Sequence, residues 1–91
     1  MATKTHPFDP AEHLETDEDI KFFLQDAAEG IAEEFIHALN TAARAKGMTE
    51  IARRAGATRA SLYKSLAGNG NPRFETVSNV VAALGCKLAV V

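Results

Sequence analysis

The sequence has few of the features that mark secreted or membrane proteins. Cys86 is the only cysteine among 91 residues, so no disulfide can form within one chain. No apolar run approaches the roughly 20 residues that cross a membrane, and residues 1–19 lack the apolar core of a secretory signal. These absences predict a cytoplasmic protein that forms one small domain or one domain with an appendage.

Signatures of catalysis and of metal binding are also missing. The histidines His6, His13 and His37 have no spacing typical of a metal site, and no cysteine or acidic cluster completes one. No nucleophile–base pattern, phosphate-binding loop or nucleotide fingerprint occurs. We therefore expect neither enzymatic activity nor a cofactor.

Charge is distributed unevenly along the chain. Residues 1–43 contain ten acidic and two basic residues, a net charge of −8, whereas residues 44–73 contain seven basic residues and one acidic residue, a net charge of +6. Such segregation favours one surface for a polyanion and another for a basic partner. The alternative is that solvated helix faces carry these charges without any partner.

Apolar periodicity and capping residues predict an all-α fold of about five helices. After an extended arm, Thr16 is expected to cap an amphipathic helix that ends at Gly30, and Gly47 is expected to stop the second helix. Asn71 is expected to cap the fifth helix, with Pro72 at its first position. The predicted helices cover residues 17–29, 31–46, 49–55, 59–66 and 72–85, and residues 86–91 are expected to form a short C-terminal strand that needs a partner edge.

Residues 49–66 show the pattern of a helix-turn-helix unit, in which two helices are joined by a short turn that often contains glycine. Thr49 and Thr58 can cap the two helices, and Gly56 can take the left-handed conformation that a sharp reversal needs. Ala52 is small enough to let the helices approach. The apolar back of the pair comprises Ile51, Ala55, Ala57, Leu62 and Leu66.

The other face of the second predicted helix is polar. Arg59, Tyr63 and Lys64 are long side chains that no core requires, and a DNA major groove can accept such a donor-rich face. The alternative is a plain helical hairpin whose basic residues only increase solubility. On the first reading, residues 31–91 form a helix-turn-helix DNA-binding domain, and residues 1–30 form an acidic arm and helix that extends it.

The pieces "GMTEIAR", "SLYKSL" and "GNPRF", in this order within residues 44–88, closely resemble the addiction-module antidote proteins. These are HigA-like antitoxins of type II toxin–antitoxin systems, with a helix-turn-helix of the Cro/phage-repressor type. The likeness extends more loosely to residues 8–27, since the family also begins with a short acidic segment and an amphipathic helix. One departure is Glu50: many phage repressors have a glutamine near this point that bonds a DNA phosphate, and a carboxylate repels phosphate.

The resemblance implies an antitoxin that binds a small basic toxin of the RelE/ParE type and represses its own operon. A homodimer on a palindromic operator is expected, with residues 77–84 and 88–91 as the candidate dimer surface. The alternatives are a stand-alone transcriptional repressor of phage origin and a helical adaptor that binds only protein.

Three groups of candidate site residues follow from the charge pattern, the spacing and this resemblance. The candidate DNA base contacts are Arg59, Tyr63, Lys64 and Ser61. The candidate phosphate contacts are Thr58, Arg53, Arg54, Asn69, Asn71 and Arg73. The candidate toxin-binding residues are Phe8, Glu12, Glu15, Asp19, Phe22 and Asp26. Ser61 can instead be small for packing, Asn71 can serve as the helix cap, and Phe23 is expected to pack on the protein's own core.

Overall fold

Five α-helices and one short 3-10 helix make up the regular structure of residues 10–67 and 71–90, which the computed structural model describes. The 3-10 helix spans Pro10–His13, and the α-helices are α1 (Asp17–Ala27), α2 (Ala32–Lys46), α3 (Met48–Ala55), α4 (Arg59–Ser65) and α5 (Phe74–Ala83). The prediction of an all-α, helix-turn-helix-like domain with a helical N-terminal extension is confirmed. No helix in the described ranges combines the length and the apolar character needed to cross a membrane.

Helix α1 begins at a capping box, as the threonine in the sequence suggested. The Thr16 hydroxyl accepts a hydrogen bond from the Asp19 N–H at 3.0 Å, and Asp19 Oδ2 accepts from the N–H groups of Glu15 and Thr16 at 3.1 and 3.2 Å. These backbone donors lower the pKa of the Asp19 carboxyl because they stabilise its charged form. The box therefore fixes where the chain turns from the arm into the helix.

A single hydrophobic core holds α1, α2, α3, α4 and α5 together. Ile20 and Leu24 of α1 are buried in the same core as the central residues of the other helices, and Phe23 packs against it as predicted. Helix α3 packs on α2, α4 and α5, while α1 packs on α2. Helix α1 shares this core with the other helices. The division of the chain at residue 30 is a division by expected function, and it stays a prediction. The buried residues of α2 to α5 and their ends include Leu39, Ala42, Ile51, Ala52, Leu62, Leu66, Val80, Val81 and Leu84.

Burial also corrects the candidate dimer surface. Val80, Val81 and Leu84 are 0%, 3% and 2% exposed because they pack inside the protein's own core. The α5 stripe over residues 77–84 is therefore mostly unavailable to a second copy. Leu88 and Val90 are exposed and remain candidates.

The expected starts of α3 and α5 are wrong by one and two residues, respectively. Gly47, at φ +114°, serves both as the C-cap of α2 and as the N-cap of α3, so Thr49 lies inside the helix and does not cap it. Helix α5 begins at Phe74 with Arg73 as its N-cap, so Asn71 and Pro72 precede the helix. In both cases the backbone supplies the junction without a side-chain cap.

Two further expectations are wrong, one about the end of α1 and one about the C-terminal residues. Helix α1 ends at Ala27, three residues before Gly30, and Gly30 does not have the positive φ of a left-handed stop. The C-terminal strand does not form over residues 86–90, which have no regular secondary structure. Residues 10–67 and 71–90 contain no strand that could serve as a ladder partner, and weak alternation alone is not sufficient to form one.

The turn between α3 and α4 is set by Gly56, which adopts the left-handed conformation at φ +74° and ψ +29°. The Ala57 N–H donates to the Ala52 carbonyl at 2.9 Å, and the Gly56 N–H donates to the Arg53 carbonyl at 3.3 Å. This pair of bonds is the Schellman pattern, which satisfies the last carbonyls of a helix and reverses the chain. The prediction that Gly56 breaks the helix and turns the chain is confirmed.

We expect Gly56→Ala to lower the free energy of unfolding by about 1–2 kcal/mol, since a Cβ disfavours the left-handed region. An added Cβ would have no atom within 4 Å, so the loss would come from backbone conformation and not from a clash. Gly56→Asn is the matched variant and should lose less, because asparagine tolerates this conformation better. Urea unfolding of the three proteins tests this; equal losses for both variants, or none, would contradict it.

Candidate nucleic-acid interface

Helix α4 is oriented by its buried side, which leaves its polar side in solvent. Leu62 and Leu66 are each 1% exposed and anchor the helix to the core. The Thr58 hydroxyl caps the helix by accepting from the Ser61 N–H at 3.0 Å, which confirms the predicted cap. All four candidate base contacts lie on the exposed part of the helix: Arg59, Ser61, Tyr63 and Lys64.

Two of these four side chains are in contact. The Arg59 guanidinium carbon lies 5.6 Å from the centroid of the Tyr63 ring, a cation–π arrangement between residues one helical turn apart. This contact favours one orientation of the arginine over the ring. It therefore places a fork of N–H donors beside a phenol on the outward face of α4.

The end of α4 is tied to α2 by a side chain that the sequence did not single out. Asn40 Nδ2 donates to the Leu66 carbonyl at 3.3 Å, which satisfies one of the carbonyls that a helix end leaves without an intrahelical partner. The bond links residues 26 positions apart. Only the tertiary structure reveals it, since no local spacing relates the two residues.

The exposed side of α3 carries two of the candidate phosphate contacts, and both are engaged with Glu50. Arg53 donates from Nε to Glu50 Oε1 at 3.2 Å and from Nη2 to Oε2 at 2.5 Å. Arg54 donates from Nε to Glu50 Oε2 at 2.8 Å. These bonds lower the pKa of the Glu50 carboxyl and raise the pKa of the Arg53 guanidinium. The i, i+3 and i, i+4 spacing of the three residues is the signal that could have predicted the cluster.

The remaining candidate phosphate contacts are scattered over the turn and the loop. Thr58 is exposed beside its cap bond, and Asn71 and Arg73 are exposed just before α5. Asn71 is not a helix cap, so its competing structural role is removed, while its DNA role stays a prediction. Asn69 lies outside the described residues.

The candidate toxin-binding residues Asp19, Phe22 and Asp26 lie in α1, whereas Glu12 and Glu15 precede it. Phe22 is 59% exposed, in contrast to its neighbour Phe23, which packs on the core. Glu12, Glu15 and Asp26 are exposed as well. Asp19 has a structural role in the capping box, which the sequence reading missed, and Phe8 lies outside the described residues. The arrangement presents an aromatic ring amid carboxylates.

An ion pair joins the acidic and basic parts of the chain. Lys46 Nζ, at the end of α2, bonds Asp17 Oδ1 at the start of α1. One of the seven basic residues of 44–73 is thus paired with a carboxylate of α1, and two more share the single carboxylate of Glu50, which leaves a net charge of +1 on that cluster.

Metal binding has no support in the described part of the chain. Among residues 10–67 and 71–90, no three His, Cys, Asp or Glu side chains come together in a group that could hold a metal ion. The exposed face of α4 and its cap carries cations, hydroxyls and one phenol.

Comparison with known proteins places the chain in a family. A family model described as "Probable addiction module antidote protein" matches residues 4–91. An uncharacterized protein from Haemophilus influenzae (strain ATCC 51907 / DSM 11121 / KW20 / Rd) is 43% identical over 91 residues, which cover 99% of this chain and 94% of the relative. No solved structure matches the chain significantly.

Proposed function

The chain belongs to the family of addiction-module antidote proteins, and we propose that it is a HigA-like antitoxin of a type II toxin–antitoxin system. It neutralises a RelE/ParE-like toxin in the cytoplasm by direct binding. It also represses its own operon through α3 and α4, which act as a helix-turn-helix of the Cro/phage-repressor type. It acts by binding and not by catalysis.

The observation that carries the DNA-binding part is the orientation of α4. Its leucines are buried, its N-terminus is capped by Thr58, and its outward face bears Arg59, Tyr63 and Lys64. A slim polar helix face of this kind fits the major groove, where the first residues of a recognition helix reach base edges. Arg59, as the first residue of α4, is the leading candidate for a bidentate contact with guanine.

Phosphate contacts would set the position of the protein on the duplex. Arg53 and Arg54 flank the turn from the α3 side, and Arg73 precedes α5. Such contacts add affinity without reading sequence. A homodimer would place two copies of α4 roughly 34–36 Å apart, one helical turn of DNA.

The acidic face of α1 supports the toxin-binding part. A toxin that cleaves messenger RNA needs a positive surface to hold its substrate, and carboxylates can steer toward and occupy such a surface. Exposed Phe22 would supply the apolar anchor that most interfaces have near their centre. The anchor and the charges lie on a helix fixed by its own buried side, so the surface is preformed.

A stand-alone repressor is the second candidate, and the exposed α4 face favours it equally. It differs in needing no toxin, so the acidic face of α1 would then be only a solvated surface. A neighbouring reading frame for a small basic protein would support the antitoxin. Co-expression of the two genes, with growth arrest relieved by this chain, would decide between them.

We expect Arg59→Ala to weaken binding to the DNA upstream of its own operon by roughly 5- to 150-fold, the range of a lost arginine–guanine contact. Binding to a scrambled duplex should fall much less. Arg53→Ala is the matched control and should weaken binding to both duplexes alike, because phosphate contacts are independent of sequence. Gel shifts at one salt concentration measure this; equal losses on both duplexes for Arg59→Ala would refute base readout.

We expect Phe22→Ala to weaken binding to the toxin encoded beside it by roughly 30-fold, since a central aromatic anchor contributes strongly to an interface. Phe74→Ala is the control, because Phe74 is 74% exposed at the start of α5 and lies outside the acidic face. Calorimetric titration of the full-length variants measures the affinities. Unchanged binding for Phe22→Ala, or equal loss for both variants, would remove the α1 face from the account.

A further inference from the structure

The carboxylate of Glu50 is shared by two arginines that face solvent. Arg53 approaches with two donors and Arg54 with one, at 2.5–3.2 Å. The side chains of Glu50, Arg53 and Arg54 are 40%, 70% and 50% exposed, so all three can be reached from outside. The cluster is entirely within α3, next to the turn that leads into α4.

This sharing reduces what the two arginines can offer to a phosphate. The cluster carries a net charge of +1, where the arginines alone would carry +2. Three of their ten N–H donors are already directed at the carboxylate. A phosphate that approaches either guanidinium also meets the negative charge of Glu50 at short range, where screening by salt is weakest.

The pairs are nevertheless easy to break. Exposed ion pairs within one helix are weak because solvent screens them and side-chain freedom opposes them. DNA presents a dense row of phosphates that can replace the carboxylate as partner. Glu50 therefore does not block the arginines; it makes their transfer to DNA less favourable.

We propose that Glu50 restrains the phosphate contacts of Arg53 and Arg54 and so lowers the affinity of this protein for DNA of any sequence. This inference rests on the proposed DNA-binding function of α3 and α4. Weaker phosphate contacts leave α4 to supply the remaining affinity. The dissociation constant for DNA of unrelated sequence therefore rises above the working concentration of the protein, while DNA that also satisfies α4 stays bound.

The opposite role would be positioning, in which Glu50 holds the arginines ready for phosphate. The two roles predict opposite signs when the carboxylate is removed. Restraint predicts tighter binding, and positioning predicts weaker binding. The same variants therefore decide between them.

Glu50→Gln and Glu50→Ala in the full chain test the inference. We expect both to bind the upstream DNA and a scrambled duplex roughly two- to fivefold more tightly than the unaltered protein. The plot of log affinity against log salt should steepen by about one unit, as expected for one more phosphate neutralised. The alanine variant is needed because glutamine can itself donate to a phosphate, whereas alanine only removes the carboxylate.

Glu29→Gln is the matched control, since it removes the same charge from the turn after α1 and should change neither affinity nor slope beyond a small screened effect. Thermal unfolding of each variant checks that the fold persists. The Nε–H signals of Arg53 and Arg54 should shift in both Glu50 variants before DNA is added, because the carboxylate partner is gone.

Unchanged or weaker DNA binding in the Glu50 variants, with normal binding by the unaltered protein, would overturn the inference and leave the proposed function standing. Tighter binding by Glu50→Gln alone would also overturn it, because a new amide contact would then be the cause. No salt-dependent DNA binding by the unaltered protein would overturn both.

Discussion

The left-handed turn at Gly56, closed by the Ala57–Ala52 hydrogen bond, is the constraint on which the outward face of α4 depends. It ends α3 and lets Thr58 start α4 two residues later. Burial of Ile51, Leu62 and Leu66 then fixes the rotation of both helices. With the two leucines buried, Lys64 lies on the opposite side of the helix, and Arg59, at the first position of α4, and Tyr63 are exposed as well.

The same core carries two surfaces of opposite charge. Ile20 and Leu24 bury the inner side of α1 against the helices that hold α3 and α4, while Phe22 and its acidic neighbours face solvent. A partner bound to α1 would therefore contact an element packed on α2, which also holds the end of α4 through Asn40.

Sequence patterns were most reliable where a local rule decides the structure. Thr16, Thr58 and Gly56 each act through neighbours within five positions, and all three were predicted correctly. The end of α2 at Gly47 was predicted, but the start of α3 at the same residue was not, because one residue serves two helices. The strand predicted over residues 86–90 was wrong, because a strand depends on a distant partner. The pairing of Asp17 with Lys46, 29 positions away, follows from packing alone. The Glu50 cluster was within reach of the helical spacing rule and was missed.

The most direct measurement of the central claim is an NMR titration of the full-length protein with the duplex upstream of its operon. The account predicts that the largest shift changes occur in residues 58–64, with the Arg59 Nε–H and the Tyr63 ring among them, and that the buried leucines change little. Changes confined to α1 or to the end of α5, with the outward face of α4 unaffected, would contradict it.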